Sequence, residues 1–378
     1  MPKKHIVTII IIVLSVIMFM DFRLNGIDVF ESYFRQMETD SVRDLRKDIG
    51  YGWRGSSDQK AEKTHQFTVD PLEATELFIN NRLGSIKIKG EDRQNVSISY
   101  KLRVYADKSE QAEEFIQQLE VESKINGSRL EFMLARLKYP DYIVAVLLDY
   151  DLLVPRQLAL DLTNRYGELL VSNMANDVDL AAFHGEMTIF NISGEANILS
   201  RYGTLYLASV EKPARVDVSH GKATIKNIRD NLILKSNHTN VGVDTIKGSA
   251  DIKLSHGALV FEEIAGNVKV DSRYAEINGE SIGGEFIGDL NHGELTLHDV
   301  RNNTNITSNY CDLNLYLSPV LNDFWVDCRV EYKNIKTNLP FKVLEVGNHQ
   351  KELKGESGTG EIIIDLEGKS ANILLFQE

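Results

Sequence analysis

Between residues 166 and 310 every eighteenth position is a tyrosine or a histidine: Tyr166, His184, Tyr202, His220, His238, His256, Tyr274, His292 and Tyr310. The position after each is glycine at 167, 185, 203, 221, 257 and 293, and Thr239, Ala275 and Cys311 are the exceptions. Eight residues beyond the rings runs a second row, Met174, Ile192, Val210, Ile228, Ile246, Ile264, Ile282 and Val300. Fourteen residues beyond runs a third, Leu180, Ile198, Val216, Leu234, Ile252 and Val270, broken once at Gly288 and resumed at Ile306. Three rows in phase at a fixed period of this size leave one architecture, a solenoid in which each repeat buries its apolar face against its neighbours.

Within a repeat the apolar positions alternate. Ala196, Ile198, Ser200 and Tyr202, then Leu205 and Leu207, then Val210 read as inward. A period of two means strand, not helix. Each coil therefore holds two short strands, and successive coils pair in parallel. The expected wind is right-handed, as such connections nearly always are. Nine coils at about 4.8 Å each make a rod of roughly 43 Å. On this parity the rings also point inward, as a structural column near the turns. A finer alternation doubles the period. Two residues before the rings, Ser200, Ser236, Ser272 and Ser308 are small, whereas Val218, Leu254 and Leu290 are large. Interlocking small with large residues is how a tight core fills space, and here the small serines are expected to make room for the rings.

The fold class is thus all-β, a parallel β-solenoid of 18-residue coils over residues 161–318. It is preceded by an N-terminal β region, 65–160, with one short helix. There Phe67–Val69, Leu77–Ile79, Ser85–Ile88, Val96–Tyr100, Leu130–Leu134 and Val144–Val154 alternate in the β manner, and Pro155 ends the last strand. Ala112, Phe115, Ile116 and Leu119 share one helical face, with Ser109 as the expected cap. Beyond Ser318 the rows fade. Phe324, Val326 and Cys328 fit a tenth coil, and Ile362–Ile364 and Ile373–Leu375 read as closing strands within a C-terminal coil and cap, 319–378.

The first residues bear on the compartment. Lys3 and Lys4 precede an apolar run from Ile6 to Met20, and Asp21-Phe22-Arg23 offers no small-residue cleavage site. Residues 1–22 read as an uncleaved signal anchor and 23–64 as a juxtamembrane stalk. The rest of the chain is then expected outside the cytoplasm. The net charge of -13 argues against nucleic acid as a partner. The two cysteines, Cys311 and Cys328, lie seventeen residues apart, which suits neighbouring coils and leaves a disulfide between them open.

Asp151-Leu152-Leu153-Val154-Pro155-Arg156, followed by Leu160-Asp161-Leu162-Thr163-Asn164-Arg165-Tyr166-Gly167-Glu168-Leu169, resembles the bacterial "putative adhesin" domain family, and Asn81-Arg82-Leu83-Gly84-Ser85-Ile86 is similar to its first turn. The resemblance covers residues 65–378. It implies a β-solenoid on an exported, often membrane-tethered protein, and supplies neither a catalytic residue nor a ligand.

The residues themselves point to no reaction. The outward row Asp217, Lys235, Lys253, Asp271 and Asp289 mixes signs as a solvated face does, and no nucleophile elbow or phosphate loop is present. His220, His238 and His256 fall on three successive coils and are the one candidate metal set, but tyrosine replaces histidine freely along that row. The outward row that could stack sugars, Leu170, Thr188, Tyr206, Thr224, Gly242, Val260, Asn278, Thr296 and Asn314, holds a single tyrosine. The expectation is a non-catalytic scaffold without a cofactor. Its partners would be the membrane, through the anchor, and an envelope protein or cell-wall component. The alternatives are a carbohydrate-active β-helix that binds or cleaves a polysaccharide, and metal binding by the histidines.

Overall fold

The computed structural model describes residues 60–135 and 139–378; the signal anchor and all but the last residues of the stalk lie outside the described residues. Among the described residues no helix is long and apolar enough to cross a membrane. The N-terminal region runs β1 (Lys60–Val69), β2 (Glu76–Asn81), β3 (Ile86–Glu91), β4 (Val96–Ala106), α1 (Ser109–Ile116), β5 (Val121–Asn126), β6 (Arg129–Leu134) and β7 (Ile143–Pro155). Strand β1 begins inside the segment read as stalk. Ser109 is the first helical residue rather than the cap, and Lys108 at the cap position makes no side-chain cap bond. Ala112, Phe115 and Ile116 are buried, as their spacing predicts.

The coils follow. They begin with pairs of short strands, β8 (Ala159–Asn164) with β9 (Leu169–Met174), β10 (Val178–Phe183) with β11 (Glu186–Ile192), and β12 (Ala196–Arg201) with β13 (Thr204–Val210). They continue as long bent strands, β14 (Ala214–Ile228), β15 (Leu232–Ile246), β16 (Ala250–Ile264), β17 (Val268–Ile282), β18 (Phe286–Val300) and β19 (Thr304–Leu317). Every coil pairs in parallel with the next at an offset of eighteen, so that Leu234 lies between Val216 and Ile252, and Ile246 between Ile228 and Ile264. The inner surface is a continuous apolar stack, with Ala214, Val216, Val218, Ala223, Ile225 and Ile228 buried in one representative coil. Gly288, the break in the third row, sits beside the Phe286 ring, where an added Cβ would come within 3.1 Å of that ring. The larger side chain two residues earlier fills the space that the glycine leaves.

Polar side chains lock the turns between coils. Asp177 accepts from the Glu195 N–H, Asn231 from Ser249, the Ser249 hydroxyl from Asn267, and Asn267 from Glu285, each across eighteen residues. Each supplies a partner for a turn N–H that no strand ladder reaches.

The two ends share a topology that the order of the coils in the chain does not announce. At the C-terminus come β20 (Phe324–Glu331), β21 (Ile335–Thr337), β22 (Val343–Glu345), β23 (Gln350–Ser357), β24 (Ile362–Lys369) and β25 (Ile373–Gln377). The last coil, β24 with β25, is inserted between β19 on one side and β20 with β21 on the other. Strands β23 and β22 then cover the outer edge of β20 in antiparallel fashion. At the N-terminus β2 lies between β6 and β8, and β3 between β7 and β9, while β4 and β1 cover β7 antiparallel. Antiparallel covers of this kind keep the ends of a solenoid from templating further strands.

This insertion settles the cysteines. Cys328 pairs with Leu366, and Leu366 pairs on its other side with Ile306. Cys328 is therefore two strand spacings, roughly 9–10 Å, from the strand that carries Cys311. That exceeds what a disulfide spans, and both thiols are free and buried. The spacing argument fails because residues 324–337 do not form the coil next to β19. Burial, with Asp312 and Glu294 nearby, pushes the Cys311 thiol up to about 12, and burial raises that of Cys328 as well. Neither is a reactive thiolate near neutral pH. Iodoacetamide at pH 8 should leave the folded protein unmodified. Both cysteines should react in denaturant, with equal mass gain whether or not a reductant is added.

Candidate binding surface along the aromatic ladder

The ring row does not point inward. His184, Tyr202, His220, His238, His256, Tyr274, His292 and Tyr310 all adopt left-handed backbone conformations, with φ between 53° and 58°. A left-handed residue turns the strand through a corner, ends its in–out alternation and throws its own side chain outside. Tyr202, Tyr274 and Tyr310 are 53%, 54% and 52% exposed. For bulky residues this conformation costs about 1–2 kcal/mol each. The compensation lies in the neighbours. From Tyr166 to Tyr310 each ring stacks on the next, with centroids 4.5–5.1 Å apart and planes within 26° of parallel. Ring pairs contribute about 0.5–1.5 kcal/mol beyond their burial, and an interior ring has two neighbours, so the two terms are of one size. Tyr274→Gly, which removes both the strain and the stack, should change stability by under about 1 kcal/mol in a thermal melt. Tyr274→Ala, which keeps the strain, should cost about 1–2 kcal/mol.

With the rings outside, the space at the inner corner goes elsewhere. In three of the four coils with a serine two positions before the ring, the residue after the ring carries a buried side chain, Ser236 with Thr239, Ser272 with Ala275 and Ser308 with Cys311, whereas the Ser200 coil keeps Gly203. In coils with Val218, Leu254 or Leu290, that residue is Gly221, Gly257 or Gly293. From Val218 to Cys311 the 36-residue alternation is therefore an exchange of volume across the corner, not room made for tyrosines. A Cβ at Gly221 would lie 1.9 Å from the Gly203 carbonyl oxygen.

A second left-handed row was not read from the sequence. Asn173, Asn191, Ser209, Asn227, Thr245, Glu263, Ser281 and Asp299 have φ between 53° and 59°. Asparagine and aspartate tolerate this region best, and four such residues at the eighteen-residue period just before the aliphatic row were the available signal.

The stack determines what the ladder can do. Ring faces are covered by neighbouring rings, so the surface consists of edges, that is, phenol hydroxyls and imidazole nitrogens repeating once per coil. His238 Nδ1 lies 2.8 Å from Asn237 Oδ1, and His292 Nδ1 contacts Asn291 Oδ1 in the same way. A carboxamide oxygen only accepts, so these Nδ1 atoms carry the proton, and the neutral ring has Nε2 as its acceptor. The three metal candidates do come together, with His220–His238 at 5.1 Å and His238–His256 at 4.5 Å. Their planes are within 3° and 7° of parallel. Nitrogen lone pairs lie in the ring plane, so the three run side by side instead of converging. Among the described residues no three His, Cys, Asp or Glu side chains group as metal ligands.

One flank of the ladder carries a shallow, open depression of about 320 Å³, lined by Lys235, Lys253, Arg273, Asn237, Ser255 and their neighbours. Lys235, Lys253, Asp271 and Asp289 face outward as expected, and Asp217 is half-buried. Lys235 and Lys253 are direct partners on adjacent strands.

No family model matches this chain, and no curated protein matches it. Among solved structures it is similar to a "putative cell adhesion protein" from Clostridium sporogenes, at 13% identity over 84% of this chain and 100% of that one, with a TM-score of 0.20. It is also similar to a "putative adhesin" from Bacteroides fragilis, at 12% identity over 70% and 100% of the two chains, with a TM-score of 0.35. A "putative adhesin" from Parabacteroides distasonis matches at 12% identity over 66% and 92%, with a TM-score of 0.36.

Proposed function

We propose that this chain is a non-catalytic scaffold of the adhesin type, membrane-anchored through residues 1–22, that presents its solenoid outside the cytoplasm for contact with an envelope protein or cell-wall component. The observation that carries this reading is the ladder. Nine stacked rings from Tyr166 to Tyr310 form a regular exposed row on a scaffold whose coils are in register and whose ends are covered. A surface of that kind is built for extended contact rather than for enclosing a small substrate, whose sites are concave and bury most of the ligand. The outward carboxylates also support it, since they lie in rows of mixed sign, with Asp217 ion-paired to Arg201 at 3.1 Å. The basic-then-apolar N-terminal sequence supports the anchored, exported placement. Co-sedimentation of the full-length, detergent-solubilised chain with isolated envelope material tests this reading. Retention of the chain is expected, and its recovery entirely in the supernatant would overturn it.

A further inference from the structure

Rows of charge on a sheet are most stable when signs alternate, and like charges directly opposite one another are unfavourable. The row beside the ladder breaks that rule twice, with Lys235 opposite Lys253 and Asp271 opposite Asp289, and the lysine pair is its one cationic break. It runs Asp217, Lys235, Lys253, Asp271, Asp289, with the two lysines in direct register on β15 and β16. Asp217 lies opposite Lys235 and Asp271 opposite Lys253, but neither acid forms an ion pair with its lysine. Asp217 is engaged by Arg201, and neither Lys235 nor Lys253 makes an ion pair or a side-chain hydrogen bond with another described residue. Arg273, two residues beyond Asp271 and on the strand next to Lys253, is equally unengaged. These three exposed cations rim the depression, and Asn237 and Ser255 separate the lysines from the edges of His238 and His256. With Asp217 and Asp271 also lining it, the depression keeps an excess of one positive charge in a chain of net charge -13.

We propose that this depression binds the carboxylates of a linear acidic polysaccharide, with Lys235, Lys253 and Arg273 as the cationic contacts and the neighbouring ladder edges as hydrogen-bonding groups for its hydroxyls. The inference deepens the adhesin reading and rests on it. The depression is too open to enclose a small anion, but it lies along a surface that repeats once per coil, a spacing of the order of one sugar unit. Asp271 and Asp217 at its borders favour singly charged carboxylates over the more highly charged phosphates. Because ring faces are covered, recognition falls to charge and ring edges rather than to stacking.

Calorimetric titration of the full-length chain in detergent decides the matter, with oligogalacturonate as the acidic probe, cellohexaose as the neutral one and inorganic phosphate as the free anion. Oligogalacturonate should bind and weaken as salt is raised. Lys235→Ala or Lys253→Ala should each weaken it about two- to fivefold, in the range of exposed ion pairs. The double reversal K235E/K253E should weaken it tenfold or more, and Lys222→Glu across the ladder should leave it unchanged. Thermal melts confirm that the variants are folded. Equal affinity for cellohexaose, equal affinity for phosphate, no binding of oligogalacturonate, or binding indifferent to K235E/K253E would each overturn the proposal. If envelope material still retains the K235E/K253E variant as it does the native chain, this site falls while the adhesin reading stands. If neither is retained, the adhesin reading itself falls.

Discussion

Phe261→Ala should destabilise the solenoid by about 3–5 kcal/mol, the range for truncating a buried aromatic ring. Phe261 is almost wholly buried, and its partner on the next strand is Gly279. A Cβ built on Gly279 would come within 2.0 Å of the ring's Cζ, so the ring lies over the glycine. Removing it leaves a void over the Gly279 backbone, with the Phe286 ring, 6.4 Å away between centroids, beside it. Gly279→Ala alone should also destabilise, by about 1–3 kcal/mol, because the ring must give way. The two changes together should cost less than their sum by at least about 1 kcal/mol, as expected of residues in contact. Denaturant unfolding of the four proteins measures this. Simple additivity would show that the coils do not exchange volume here.

Leu254→Ser should cost about 2–5 kcal/mol. Leu254 lies between Ser236 and Ser272 in the same inward column, and the change would put three buried serines in line. In neighbouring coils a serine is accompanied by Thr239 or Ala275 at the corner, but this coil has Gly257. Its added Cβ would lie 2.3 Å from the Thr239 carbonyl oxygen, so the void cannot be filled from there. The reverse substitution, Ser272→Leu, should cost about 1–3 kcal/mol through overpacking. Lys253→Leu, one residue away and outward, should change stability by no more than about 0.5 kcal/mol. Melting temperatures of the three variants separate these cases, and a Lys253→Leu loss as large as that of Leu254→Ser would reverse the assignment of inward and outward faces.

The coil length, the parallel stacking and the aliphatic core were legible because they repeat: Ile228, Ile246 and Ile264 declare one another. The direction of the rings was not. Alternation was carried through Tyr202 as if the strand ran straight, yet one left-handed residue ends that parity, and tyrosine and histidine do not advertise the conformation as glycine does. The glycine after the ring drew attention to the turn one position late. The insertion of β24 and β25 was also hidden, because Leu366 and Cys328 fit the same inward row equally well and no local pattern says which of them meets Ile306. The unpaired lysines were visible as charges in a row. That Asp217 is occupied by Arg201 is a fact of geometry.

The inserted coils also bear on how the molecule would carry a load. A simple stack can be peeled from its last strand, one coil at a time. Here the C-terminal strand β25 is held between β19 and β21, so tension applied at Gln377 must shear it from two neighbours at once. From the other side, a pull at Lys60 can strip β1 from β4, but it next meets β2, which is clamped between β6 and β8. Neither end of the described residues offers a free coil from which unzipping could begin. Strained at one end, the described solenoid would therefore yield abruptly at high force, not by progressive fraying.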